Sequence, residues 1–224
     1  MKLTRILATL LFVTLAVNAR AVPYNAAADF QTVSNPLGVW SYSYSLAGGL
    51  SYAPILFDEV VGSTWLSSTN QSFGTPSATK NNEPYTVNGV ASGQFALHPG
   101  PDTNIGAFAI LRFTTANTDT YQVTGQFYAG DTGSMNGAIV LNGNHLAPLQ
   151  YFANTTDTSF FSPLSLTLTA GDTLDFVVGF NGDFVFGSTP LDVNIDIAAP
   201  EPASIAILLG GLTILGVARS RREP

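Results

Sequence analysis

Two histidines, no cysteine and a surplus of carboxylates set the reactive inventory of this 224-residue chain. Without cysteine there is no thiol nucleophile, no disulfide and no thiolate metal ligand. A Ser-His-Asp hydrolase has to draw on His98 in "ALHPGPD" or His145 in "NGNHLA". His145 follows Asn142-Gly143, a tight-turn dipeptide, and no strand-to-helix nucleophile elbow occurs in the chain, so an exposed turn histidine is expected there. His98 stands where a strand runs into the rigid Pro99-Gly100-Pro101-Asp102 loop, and both a turn role and a metal or ligand role are open to it. Paired carboxylates cleave glycosidic bonds. Asp172 and Asp175 are near in sequence, but the first belongs to a turn and the second to the outer face of the following strand, the usual place for acids in a half-solvated hairpin. Calcium takes oxygen ligands from loops. "AGDTGSMNG", with Asp131, and "FNGDFVFGS", with Asn181 and Asp183, are acidic and glycine-rich, but neither is a D-x-D-x-D-G loop. Solvated turns account for them equally well, so catalytic residues are assigned as none, calcium remains open and no other cofactor is expected.

Aromatic faces stack on sugar rings as on other flat apolar surfaces. In "GVWSYSYSLAGG", Trp40, Tyr42 and Tyr44 share one face of a strand, opposite Val39, Ser41 and Ser43. Turned outward, the stripe is a sugar platform; turned inward, it is core. Burial of three large rings favours core, which moves any ligand site to the loops from His98 to Asp102 or from Asn181 to Asp183.

The elements that position these residues read as strands. "FAILRFTT" alternates Ala109, Leu111 and Phe113 with Ile110 and Arg112, and "TYQVTGQF" sets Tyr121, Val123 and Phe127 against Gln122, Thr124 and Gln126. "PLSLTLTAGDTLDFVVGF" reads as a hairpin turning at Gly171-Asp172, and "LDVNIDI" puts Val193, Ile195 and Ile197 inward. Asn142-Gly143 is the strongest tight-turn signal, with Asn88-Gly89 and Asn181-Gly182 weaker repeats. Ser67 to Pro84, rich in Ser, Thr, Asn and Pro, reads as a long surface loop. Many short strands with turn residues between them predict an antiparallel all-β sandwich of jelly-roll type over residues 22–198.

Between Val22 and Ala198 only Lys80 and Arg112 oppose thirteen acids. Such a surface repels a phosphate backbone and excludes nucleic acid as the expected partner. The other basic residues stand at the ends. Lys2 and Arg5 precede a short apolar run, Ile6 to Val17, and Ala19-Arg20-Ala21 offers a small-x-small cleavage site, the pattern of a secretory signal peptide over residues 1–21.

The last 26 residues, 199–224, carry a resemblance. "PEPASIAILLGGLTILGVARSRR" resembles the PEP-CTERM sorting signal of Gram-negative bacteria: Pro200, Glu201 and Pro202, then an apolar helix, then Arg219, Arg221 and Arg222. Residues 203–218 would span about 24 Å as a helix, slightly less than a hydrocarbon core of about 30 Å, with the arginines on the cytoplasmic side. The resemblance implies an exosortase as partner, transient membrane anchoring and delivery to the cell surface or extracellular matrix. The segments beginning at Ala28, Ala96 and Leu164 are similar to a jelly-roll domain of secreted proteins with the topology of carbohydrate-binding modules. Together these imply a non-enzymatic exported protein associated with exopolysaccharide. A glycan-active hydrolase or lyase on the same scaffold and a self-associating matrix protein are the alternatives.

Overall fold

The computed structural model describes residues 23–46, 52–69, 72–101, 107–155, 159–182 and 184–198. The expected signal peptide, the Pro200-Glu201-Pro202 motif, the apolar tail with its arginines, and the site candidates Asp102 and Asp183 lie outside the described residues.

In chain order the elements are β1 (Tyr24–Asn25), helix α1 (Ala26–Asp29), β2 (Trp40–Ser45), β3 (Ile55–Leu56), β4 (Glu59–Val61), β5 (Thr64–Leu66), β6 (Ser77–Lys80), β7 (Phe95–His98), β8 (Phe108–Thr114), β9 (Asp119–Phe127), β10 (Met135–Leu141), β11 (Gln150–Phe152), β12 (Ser159–Phe160), β13 (Leu164–Leu168), β14 (Thr173–Phe180) and β15 (Thr189–Ile197). They form two antiparallel sheets of a β-sandwich. One runs β12-β9-β15-β7-β6-β5-β4, with β13 on β9 and β1 on β15; the other runs β11-β10-β14-β8-β2-β3.

Period-two alternation builds the core. Leu174, Phe176 and Val178 of β14 stand in register with Phe113, Leu111 and Ala109 of β8, and all six are fully buried. They pack in one cluster with Tyr121, Val123 and Phe127 of β9 and Val193 and Ile195 of β15, from the other sheet. Removing each large apolar side chain from water stabilises by about 1.5–3 kcal/mol.

Three local expectations are corrected. The Gly171-Asp172 turn does not close a hairpin, because β13 pairs with β9 in one sheet and β14 with β8 in the other. The chain crosses between sheets here, as it does between β8 and β9. The two crossovers bond to each other: Thr115 N donates to Asp172 O, Gly171 N to Thr115 O and Ala170 N to Thr118 Oγ1. Alternation is the same in a hairpin and in a crossover, so the pattern fixes the faces but not the partner. Asn142-Gly143 does adopt positive φ at both positions, but β10 and β11 pair only from Ile139 and Gln150 outward, so the connection is wide. The Asn142 amide instead reaches across to β14, its Oδ1 accepting from Thr173 N and its Nδ2 donating to Asp172 Oδ1. Of the Asn-Gly pairs, it is Asn88-Gly89 that makes a tight two-residue turn, closed by reciprocal Val87–Val90 backbone bonds. Only glycine fits at 89, since a Cβ there would stand 2.1 Å from the Gly130 carbonyl carbon.

The third correction concerns Ser67 to Pro84. It contains β6, an interior strand of the larger sheet between β5 and β7. Small polar residues hide this strand: Ala78 is its inward, fully buried residue, while Ser77 and Thr79 flank it in the alternation. Thr79 meets Thr64 across the ladder, hydroxyl to hydroxyl at 2.9 Å.

Candidate functional site

Because Ala78 and Leu97 join the core, the alternate residues of β6 and β7 turn to the other side of the sheet, and there they floor a cleft of about 370 Å³. Thr64, Ser77 and Thr79 supply hydroxyls, and Ala96 supplies a flat apolar spot. One wall is the 73–75 loop; the other is the 81–90 loop, with Asn82, Glu83 and Asn88. Asn81 holds that second wall in shape. Its buried Nδ2 donates to the carbonyls of Tyr85 and Val90, both at 2.8 Å, and its Oδ1 accepts from Glu83 N. The first wall presents Phe73, which is 95 % exposed and held at φ +54. A bulky non-glycine residue in the left-handed region costs about 1–2 kcal/mol, and a bare ring in water contributes no core burial. Phe73 and Gly74 are the central pair of a two-residue turn closed by reciprocal Ser72–Thr75 backbone bonds, which sets this φ and holds the ring out in water. The charges in the lining, besides half-buried His98, are Lys80 and Glu83, and Lys80 Nζ already donates to Ala27 O at 2.7 Å.

His98 lines this cleft, but its ring is committed. Nδ1–H donates to Pro99 O at 2.6 Å and Nε2 accepts from Gly187 N–H at 3.2 Å, which fixes the neutral tautomer and leaves neither nitrogen for a metal or a substrate proton. Its role is structural. Burial pushes its pKa below the usual histidine value, against smaller opposing effects from the Pro99 carbonyl and Asp131. A base whose folded pKa is depressed contributes full stability above the unfolded pKa of 6.5, and that contribution is lost as pH falls and the unfolded chain takes up the proton first. The melting temperature is therefore expected to drop between about pH 7 and pH 5, and the drop to shrink in His98→Gln. Melts across that range check it; Asp58 and Asp172, held below the carboxylate range by hydrogen bonds from Ser68 and Thr169, act only in a more acidic window.

The other sequence candidates separate. Asp131 is carried toward His98, since its N–H donates to Ser188 O, one residue from Gly187. Asn181 is exposed elsewhere, donating to Ser134 Oγ and Ala153 O. No group of three or more His, Asp or Glu side chains with metal-binding geometry occurs among the described residues. Of the two readings of Trp40, Tyr42 and Tyr44, the structure bears out the favoured one, core, and removes the sugar platform: all three are buried, Trp40 at 3 % exposure, in ring contact with Phe113, Phe95 and Phe57 respectively. A ring enclosed by core aromatics cannot receive a sugar.

His145 is half-buried rather than exposed, its ring stacked on Tyr52 at 5.2 Å. Tyr52 opens a constellation that sequence reasoning missed. Its hydroxyl donates to Asp175 Oδ2 at 2.8 Å, and Arg112 clamps the same carboxylate through Nε at 2.6 Å and a terminal nitrogen at 2.8 Å. Asp175 is therefore not a solvated hairpin acid: its side chain is 0 % exposed, covered on the outer face of the smaller sheet beside Ile110, Val140 and Val177. Desolvation and the adjacent carboxylate push the Tyr52 phenol far above its ordinary range. The group holds the fold; it does not adjoin the cleft-bearing sheet. Phe73 and Asn81 were missed because they lie in the stretch read as loop. The available signal was the single large aromatic in "NQSFGTPSATKNN".

No known family model matches the chain, and no curated protein matches it. Solved structures match weakly. A family 35 carbohydrate binding module from Clostridium thermocellum shares 17 % identity, with 50 % of this chain and 85 % of that one covered at a TM-score of 0.34. Pika GITRL shares 16 %, with 41 % and 75 % covered at 0.29. A Podospora anserina GH26-CBM35 β-(1,4)-mannanase shares 18 %, with 56 % of this chain but only 26 % of the enzyme covered at 0.34.

Proposed function

We propose that this chain is an exported, non-catalytic glycan-binding protein, sorted by an exosortase to the cell surface or extracellular matrix of a Gram-negative bacterium and associated there with exopolysaccharide. The observation that carries the binding half is the hydroxyl- and amide-lined cleft with Phe73 held in water at its lip. A saccharide needs fixed donors and acceptors for its hydroxyls and a flat apolar surface for its C–H face, and this lining offers both. Two-carboxylate hydrolysis needs acids roughly 5–10 Å apart across the bond, whereas the cleft lining contains one, Glu83. Polymerisation through strand edges needs long unpaired edges; β3, β4, β11 and β12 are two or three residues long and β13 five.

Phe73→Gly tests the binding half. Glycine accepts φ +54 without strain and the lost ring buries almost nothing, so stability is expected to hold or to rise by up to about 1 kcal/mol. Binding on a glycan array is expected to fall tenfold or more. Undiminished binding by the folded variant would remove the cleft from consideration.

The sorting half rests on the signal-peptide pattern and on the resemblance of the Pro200-Glu201-Pro202 tail to the PEP-CTERM sorting signal. Glu201→Ala in an exosortase-bearing host is expected to leave export intact while the uncleaved C-terminal form accumulates in the membrane. Normal C-terminal processing of the variant would refute this half.

A further inference from the structure

A second cleft, of about 330 Å³, adjoins the first at Lys80; it is lined by the 30–33 segment and Gly62, and the two share Ser63, Lys80 and Asn82. The junction is tied within the sheet: Lys80 N and Thr79 Oγ1 both donate to Ser63 O, and Lys80 Nζ is drawn to the Ala27 carbonyl. Phe73 and Gly74 at one end and Val33 and Gly62 at the other are solvent-exposed. The outer lips therefore carry an apolar side chain each, Phe73 and Val33, with hydroxyls and amides between them.

From this adjacency we infer that the ligand is an uncharged polysaccharide bound along an internal stretch of its chain. The inference rests on the glycan-binding reading above and adds to it chain length and charge. Two clefts in series with exposed outer lips suit a polymer passing through, whereas recognition of a chain end calls for a pocket closed around the terminal residue. Charge selects the class of polymer. Uronate, sulfate or phosphate groups call for cationic partners, and between Val22 and Ala198 there are two basic residues. Arg112 is clamped by Asp175 on the other sheet, and Lys80, tethered to Ala27 O, is opposed in the same lining by Glu83. The thirteen acids of the same stretch repel an anionic chain, while neutral hydroxyls suit the Thr, Ser and Asn lining.

The test titrates the mature chain with cello-, manno- and galacto-oligosaccharides from disaccharide to hexasaccharide, and with oligogalacturonate of the same lengths. The expected result is an affinity for a neutral series that rises at least tenfold, about 1.4 kcal/mol, from disaccharide to hexasaccharide, with no binding of oligogalacturonate at physiological salt. Thr32→Ala/Val33→Ser, which strips the exposed lip of the second cleft, is expected to abolish the gain with length and leave disaccharide binding intact. Length-independent affinity for a neutral sugar overturns the internal-stretch inference while glycan binding stands. Preference for oligogalacturonate overturns the charge inference alone. Failure of every series to bind, by a chain that melts cooperatively, overturns the glycan-binding reading itself.

Discussion

Trp40→Ala is expected to destabilise the domain by about 3–5 kcal/mol, the cost of truncating a buried large aromatic, and to leave glycan binding by the folded fraction unchanged. The indole is buried, edge-on to Phe113 at 5.3 Å, and its Nε1–H donates to Asp29 Oδ2 at 3.0 Å. That carboxylate also accepts from Asn25 N, so the ring ties β2 to the α1 corner as well as filling core. For a domain of this size the loss corresponds to a melting point lower by roughly 6–20 °C. Trp40→Phe, which keeps most of the apolar volume but loses the Asp29 bond, should cost visibly less. Thermal and denaturant melts on both variants check this. A Trp40→Ala protein of wild-type stability that no longer bound glycan would put the indole in solvent and contradict its burial.

The alternation of Ala109, Leu111 and Phe113 and of Leu174, Phe176 and Val178 made the core faces and the all-β class legible, because burial on one face imposes period two whatever the partner strand. Partnering is a long-range property, which is why β13 and β14 read as a hairpin and prove to lie in different sheets. It is also why Arg112 and Asp175 were not joined: both alternate outward, but only the β8–β14 register sets them side by side. The cleft was less legible still. Its floor strand, "SATK", carries no large apolar residue, since Ala78 meets the core through a short side chain and the rest of the strand faces the cleft. His98 drew notice for its chemistry and does line the cleft, yet its two hydrogen bonds make it a brace for the 187–188 segment. Phe73 was marked in the sequence only as a lone aromatic in a polar stretch; its exposure and backbone angle, which composition does not record, single it out in the structure.

Arg112→Met is expected to be the most damaging single change outside the core, at about 3–5 kcal/mol, because it leaves a fully buried carboxylate with one neutral partner, the Tyr52 hydroxyl. The reverse change, Asp175→Leu, should cost less: the Arg112 side chain is 26 % exposed and keeps access to water. Combining Arg112→Met with Asp175→Leu should recover most of the loss, since paired removal exchanges a desolvated ion pair for packing beside Ile110, Val140 and Val177. Adding Tyr52→Phe removes the hydroxyl that the double variant orphans. A single variant within 1 kcal/mol of wild type at pH 7 would mean that water reaches Asp175 and that the clamp is not what holds the outer face of the smaller sheet closed.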